Sequence, residues 1–338
     1  MTKLNDYLDG PPAPGSVIAV MEGVYWVRLP LPFELNHINV WLIEDDNGWT
    51  LVDTGANAST TRDAWLGLMK SNLFDRPLTR IIVTHHHPDH MGLARWLSDR
   101  YRVPVFVTAP AIARARQLLS EGAGKDIQNQ LLFFEMNGAP QPSLVADFVN
   151  GKWYRKLVSG VPDNVVEINP GHEIRIGGMS WQTIISYGHA EGHVSLYCAE
   201  HQAVISGDQV LPKITSNVSL FSQDPALDPL DDFLGSLADF RNLPPDTLVL
   251  PSHGSVFHGL HERVNAIENS HMERSSRIQD LLEDLATVSD MISRLFTRAL
   301  DDVNWCLAFG EVHAHLRYLH NRGVIHRQEK NDIIVYYR

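Results

Sequence analysis

Residues 79–94 read TRIIVTHHHPDHMGLA, an apolar run that leads straight into four histidines and one aspartate within six positions. Ile81, Ile82 and Val83 have the β-branched character of a buried strand, and the apolar spacing after Pro88 is that of a helix. A strand-to-helix turn between them lets the side chains of His85, His87, Asp89 and His90 converge on one point. Neutral imidazole with carboxylate is the donor set taken by Zn²⁺ and its borderline neighbours. One isolated histidine here would be read as a helix cap or a water-binding loop residue; the spacing His85-x-His87-x-Asp89-His90 argues for a metal. His86 and Pro88 occupy the x positions, and His86 is expected to pack or hydrogen-bond rather than to ligate.

With 338 residues, the chain is long enough for one large α/β domain plus an appended module, with a sizeable core. Its 44% apolar and 20% charged composition is that of a globular protein. A net charge of −12 argues against general attraction to nucleic acid or anionic lipid. Residues 1–23 lack a basic segment followed by an apolar core, and no stretch approaches the ~20 apolar residues of a membrane span. A soluble, cytoplasmic protein is therefore expected. Cys198 and Cys306 lie far apart and outside any CxxC spacing, which reads as two core thiols.

Before the histidine cluster, GVYWVRLP (23–30), HINVWLIEDD (37–46) and WTLVDTG (49–55) are short β-rich runs broken by Pro, Asn and Gly. They predict an antiparallel meander. STTRDAWLGLMKSNLF (59–74) carries helical spacing, and the strand VPVFVT (103–108) follows the cluster, so strand and helix alternate as in a layered α/β sheet. Residues 110–165 turn helical and less regular, which reads as an insertion. Strands return at EIRIGGMSWQTIISYG (173–188), VSLYCAE (194–200), AVISGDQV (203–210) and TLVLPSHG (247–254), each ending close to a His or Asp.

One short motif lacks the donors for two metal sites, and the later strand ends carry more: His189 and His193 in ISYGHAEGH, Asp208 in AVISGDQV, His253 in LVLPSHGSVF. With LVDTG at 51–55, these ordered motifs resemble those of the metallo-β-lactamase superfamily over roughly residues 20–260, the helical insertion excepted. The resemblance implies a four-layer αβ/βα sandwich that holds two divalent ions, Zn²⁺ by default, with Mn²⁺ or Fe²⁺ as alternatives. It implies that His85, His87 and His189 bind one ion, that Asp89, His90 and His253 bind the other, and that Asp208 bridges them. It implies further that Asp53 orients the ligand loops through hydrogen bonds rather than ligating. His193 is read as a neighbour of the ligands, not one of them. His37, His172, His201 and His258 have no comparable spacing and read as surface or loop histidines.

The implied reaction is hydrolysis of an acyl bond, in which a hydroxide shared by the two ions attacks the carbonyl, with Asp89 and Asp208 in the catalytic centre. A thiolate or alkoxide leaves with less acid assistance than an amide nitrogen, which favours a thioester, ester or lactone of a small substrate. A phosphodiesterase or endoribonuclease of the same fold would use the same hydroxide and is the alternative. A catalytically idle metal-binding protein is a third reading, disfavoured by the complete ligand set. The chain has no GxSxG, no P-loop and no GxGxxG after a strand.

In the tail, residues 286–300 and 309–325 carry helical spacing, and GVIHRQEKNDIIVYY (323–337) reads as two strands around a polar turn. Helix, helix, hairpin resembles the winged-helix module of the β-lactamase-like protein 2 and thioesterase group. The expected domains are 1–265, with the insertion at about 110–165, a connecting helix at 266–285 and a winged-helix-like domain at 286–338. Seven Lys/Arg against six Asp/Glu in 286–338 are not the basic footprint of a DNA reader. A packing module or a homodimer contact is favoured over nucleic-acid binding. Residues of the insertion and of 213–233 are placed to wall an apolar pocket over the metals.

Overall fold

Short strands that are apolar on both faces need cover on both sides, and among the described residues two seven-stranded sheets and flanking helices supply it. The computed structural model describes residues 5–6, 10–33, 35–71, 76–120, 124–140 and 142–338. One sheet runs, in spatial order, β2 (Val17–Met21), β3 (Val24–Pro30), β4 (His37–Asp45), β5 (Gly48–Val52), β6 (Leu78–Ile82), β7 (Val105–Thr108) and β8 (Val165–Ile168). The other runs β1 (Asn5–Asp6), β14 (Phe257–His258), β13 (Leu248–Pro251), β12 (Ala203–Gly207), β11 (His193–Cys198), β10 (Met179–Ser186) and β9 (Glu173–Ile176).

Strands β2 to β5 form the expected antiparallel meander. Pairing turns parallel from β5 to β8 because helices cross over between those strands. These are α1 (Ser59–Leu68), α2 (Pro88–Met91), α3 (Ala94–Tyr101), and the series α4 (Ala109–Leu119), α5 (Gly124–Met136), α6 (Pro142–Val149) and α7 (Lys152–Leu157). Of the helix expected over 59–74, α1 covers 59–68; residues 72–74 lie outside the described residues. Helix α8 (Pro229–Arg241) makes the parallel crossover from β12 to β13. The run 173–188 folds back at Gly177 and Gly178, whose φ of +57° and +78° suit the left-handed pair of a tight hairpin turn.

Between the sheets, Trp26, Trp41, Ile43, Val52 and Ile82 of the first bury against Trp181, Val194, Leu196, Ile205 and Leu250 of the second. The Trp26 and Trp41 rings stack with centroids 5.9 Å apart. No helix among the described residues is long and apolar enough to cross a membrane.

The chain divides into two compact units, one of residues 1–119, 154–216 and 236–264, the other of residues 120–153, 217–235 and 265–338. Both sheets lie in the first. The second holds α5, α6, most of α9 (Leu260–Leu281), α10 (Val288–Leu295), α11 (Asp302–Asn321) and the hairpin β15 (His326–Lys330) and β16 (Ile333–Tyr337). Sequence alone groups the insertion and residues 213–233 with the first domain; in the structure 120–153 and 217–235 belong to the second. The reason is apolar surface. Residues 286–338 make too small a core by themselves, and Phe133, Phe134, Val145 and Phe148 complete it with Ile278, Leu282, Phe309 and Tyr336.

Three histidines that no spacing rule singles out, His271, His313 and His315, are buried in this second unit. His271 Nδ1 lies 3.5 Å from His315 Nε2, Ser275 Oγ lies 2.9 Å from His315 Nδ1, and His313 Nδ1 donates to the Leu220 carbonyl at 3.1 Å. Burial lowers the pKa of His271 to about 4, of His313 to about 3, and of His315 well below the ordinary value. The unfolded chain takes up protons below about pH 6.5 that these folded rings refuse, so the stability they carry is complete above that pH and is lost as pH falls toward 4. The thermal midpoint of this unit should therefore drop between about pH 7.5 and about pH 5, and His271→Leu should shrink the drop. An equal drop in wild type and variant would assign the acid lability elsewhere.

Candidate metal centre

Parallel neighbouring strands present their C-terminal ends at one edge, where loops can gather side chains. Asp53 follows β5 and residues 85–90 follow its parallel neighbour β6; Asp208 follows β12 and His253 follows its parallel neighbour β13. His189 lies in the turn from β10 to β11. Backbone bonds tie the two edges together: Val194 N–H to Thr84 C=O at 2.8 Å and Asn39 N–H to Ser252 C=O at 2.7 Å.

Among the described residues, His85, His87 and His189 bring one ligand atom each within 4.8 Å of the others, and so do Asp89, His90 and His253, and His85, His90 and Asp208. In the first set, His85 Nε2 lies 2.9 Å from His87 Nδ1 and 3.3 Å from His189 Nε2. In the second, His253 Nε2 and His90 Nε2 lie 3.3 Å and 3.6 Å from Asp89 Oδ2. Asp208 faces both: its Oδ2 is 3.5 Å from His189 Nε2, and its Oδ1 is 3.4 Å from His90 Nε2 and 3.5 Å from His253 Nε2.

Other residues aim these donors. Asp53 takes φ +62°, a left-handed conformation rare for a non-glycine residue. Its carboxylate there accepts the Thr84 N–H at 2.8 Å, the Thr84 hydroxyl at 2.9 Å and the His90 Nδ1–H at 2.8 Å, which turns His90 Nε2 toward Asp208. His193 uses both nitrogens: Nε2 accepts the Asp208 N–H at 3.1 Å and Nδ1 donates to Ser186 Oγ at 3.2 Å. Burial lowers its pKa to about 3 and keeps that ring neutral beneath the aspartate. His86 is buried, and its carbonyl accepts the Tyr154 hydroxyl at 2.5 Å.

His37 corrects the expectation of a surface or loop histidine. It is the half-buried first residue of β4, its carbonyl accepts the His253 Nδ1–H at 2.9 Å, and its Nε2 accepts the Gly254 N–H at 2.9 Å. Asn39, two residues on, donates to the carbonyls of Pro251 and Gly254, both at 2.9 Å, and so clamps the loop that carries His253. Sequence reasoning passed over Asn39, although an asparagine inside the apolar strand HINVWLI is out of character for a strand and was a usable signal.

Burial lowers His85 and His87 well below the ordinary imidazole pKa, with neighbouring rings adding to it. Burial works against ionised Asp89 and Asp208 too, yet His90 and His253 hold Asp89 at about 2 and Asp208 well below the usual carboxylate range. In return the carboxylates raise His90 and His253 against the desolvation that would lower them. His90 Nε2 and Asp208 Oδ1 are buried without a hydrogen-bond partner among the described residues. Such atoms are costly unless an ion completes them, so the donor set fits a divalent cation.

Residues 34–253 match the family model described as the metallo-beta-lactamase superfamily. The chain belongs to this superfamily. Residues 276–338 match the metallo-beta-lactamase-like C-terminal domain. The chain is 25% identical over 309 residues to the probable metallo-hydrolase YqjP of Bacillus subtilis, covering 88% of this chain and 92% of that one. The crystal structure of a beta-lactamase domain protein from Burkholderia ambifaria superposes with a TM-score of 0.89 at 33% identity, over 98% of both chains. A bovine relative, acyl-coenzyme A thioesterase MBLAC2, is 24% identical over 70% of this chain and 80% of its own. Against this superfamily, the His/Asp cluster sits where two sheets offer their strand ends, which makes it the candidate metal site of a metallo-hydrolase fold.

Proposed function

We propose that the protein is a dinuclear metal-dependent hydrolase that cleaves an acyl bond of a small thioester, ester or lactone. The observation that carries this reading is Asp208, whose two carboxylate oxygens face two different histidine sets. In it, His85, His87 and His189 hold one ion, Asp89, His90 and His253 hold the second, and Asp208 is shared. When bound, two divalent ions, Zn²⁺ by default, supply Lewis acidity and a nucleophile at neutral pH.

The chain's own residues do the rest. Asp53 keeps His90 in one tautomer, His193 fixes the backbone of Asp208, and the His37 carbonyl fixes His253, so the ligands are held in place before substrate arrives. The acyl class is favoured because a thiolate or alkoxide departs with little acid assistance, and the bovine relative carries the name of an acyl-coenzyme A thioesterase, which supports the same reading. A substrate other than nucleic acid accords with the net charge of −12.

The test is metal content together with hydrolysis of an acyl-CoA, a lactone and bis(p-nitrophenyl) phosphate, before and after chelation. Chelator should abolish acyl cleavage, and Zn²⁺ or Mn²⁺ should restore it. Preferential cleavage of the phosphodiester would overturn the acyl assignment. Asn39→Ala should weaken Zn²⁺ binding by roughly tenfold, because the His253 loop loses two hydrogen bonds. Competition with a chelating dye reads that change; unaltered affinity would show that the loop holds its own shape.

A further inference from the structure

Beside the His253 loop lies a cleft of about 440 Å³, lined by Pro11, Pro12, Pro14, Arg28, Asn36 and His37, within the size range of small-ligand sites. Proline rings offer no N–H, so polar recognition there falls to Arg28, Asn36 and His37. His37 is already committed: its Nε2 accepts the Gly254 N–H, and its Nδ1–H therefore donates to Asn36 Oδ1 at 3.0 Å. That bond occupies the Asn36 carbonyl and leaves its amide N–H₂ without an acceptor among the described residues.

Arg28, half-buried on β3, has no ion pair among the described residues, although the chain carries 40 Asp and Glu against 28 Lys and Arg. A guanidinium partly withdrawn from water without a counter-charge is unfavourable unless an anion meets it. His37 joins this cleft to the metal centre, since its ring centroid lies 6.0 Å from that of His253.

We infer that the cleft is a recognition subsite for an anionic group of the substrate, a carboxylate or a phosphate, gripped by the Arg28 guanidinium with the Asn36 amide beside it. Such a grip would hold the remainder of the substrate on the His253 side of the centre. The inference rests on the proposed hydrolase activity only for its turnover arm.

Two substrate pairs test it: p-nitrophenyl hemiglutarate against p-nitrophenyl valerate, and acetyl-CoA against S-acetylpantetheine. In one pair the wild type should prefer the anionic member, and Arg28→Met should raise KM for that member by about 10- to 100-fold while leaving kcat and the neutral member unchanged. The responding pair distinguishes a carboxylate on the acyl side from a phosphate on the leaving group. Calorimetric titration with glutarate and with adenosine 3′,5′-bisphosphate supplies a readout without turnover, and one of them should bind wild type and not the variant. Turnover with no Arg28-dependent difference in either assay overturns the subsite and spares the hydrolase. Arg28-dependent binding without metal-dependent turnover does the reverse, and neither signal overturns both.

Discussion

Replacing Asp208 with alanine is expected to cut metal content from two ions per chain to one or fewer and to lower kcat/KM for an acyl substrate by on the order of 10³-fold or more. No other residue described in the centre has oxygens directed at both histidine sets, at 3.4 to 3.5 Å from His90, His189 and His253. Its removal also leaves buried imidazoles without the carboxylate that now compensates them. Asp208→Asn separates the two effects, because it keeps volume and loses charge. Circular dichroism should show both variants folded, since Asp208 stands at a loop after β12 and not in the core between the sheets. Full metal occupancy or near-wild-type turnover in Asp208→Ala would remove the bridging role and the dinuclear reading with it.

Gly92→Ala adds one methyl and should destabilise the chain by about 3 kcal/mol or more, with loss of metal affinity. A Cβ at Gly92 would run into the carbonyl oxygen of Pro88, into that of Gly55 at 2.5 Å and into the Cα of Ala56 at 2.7 Å. All three are backbone atoms and cannot rotate aside. The turn is pinned as well: the His90 carbonyl accepts the Thr54 N–H at 3.0 Å and its hydroxyl at 2.7 Å, and the Gly55 carbonyl accepts the Leu93 N–H at 3.1 Å. Relief of the clash therefore lifts the segment that carries Asp89 and His90 away from the strand end. Gly67→Ala, at an exposed position of α1 with nothing within 4 Å, is the control and should be neutral or stabilising by up to about 1 kcal/mol. Denaturant unfolding and a Zn²⁺ competition titration measure both variants; an unchanged midpoint and affinity for Gly92→Ala would refute the close packing proposed for this turn.

Much of the site was legible because its signals are local. His85, His87, Asp89 and His90 share one turn, and His189, Asp208 and His253 each follow an apolar run that announces a strand. The meander and the α/β alternation follow from periodicity in the same way. His37 was not legible, and Asn39 showed only as an asparagine out of place in an apolar strand, with nothing to name its partners. Their partners, in and around the His253 loop, lie more than 210 residues away, and a hydrogen bond across that separation leaves no pattern in neighbouring residues. His271, His313 and His315 were equally hidden, since burial beside Phe233 or Phe133 arises only once the helices pack.

What the sequence by itself determined is the antiparallel meander, the alternation of strand and helix, the order of the motifs and the chemistry of the donors, because backbone preference, side-chain periodicity and ligand type are properties of residues and their near neighbours. Only the tertiary structure decided three further matters: that Asp208 presents one oxygen to each histidine set, that His37 and Asn39 hold the His253 loop, and that residues 120–153 and 217–235 complete the core of the second unit. Each depends on where distant segments bury their apolar surface, a free energy summed over the whole chain.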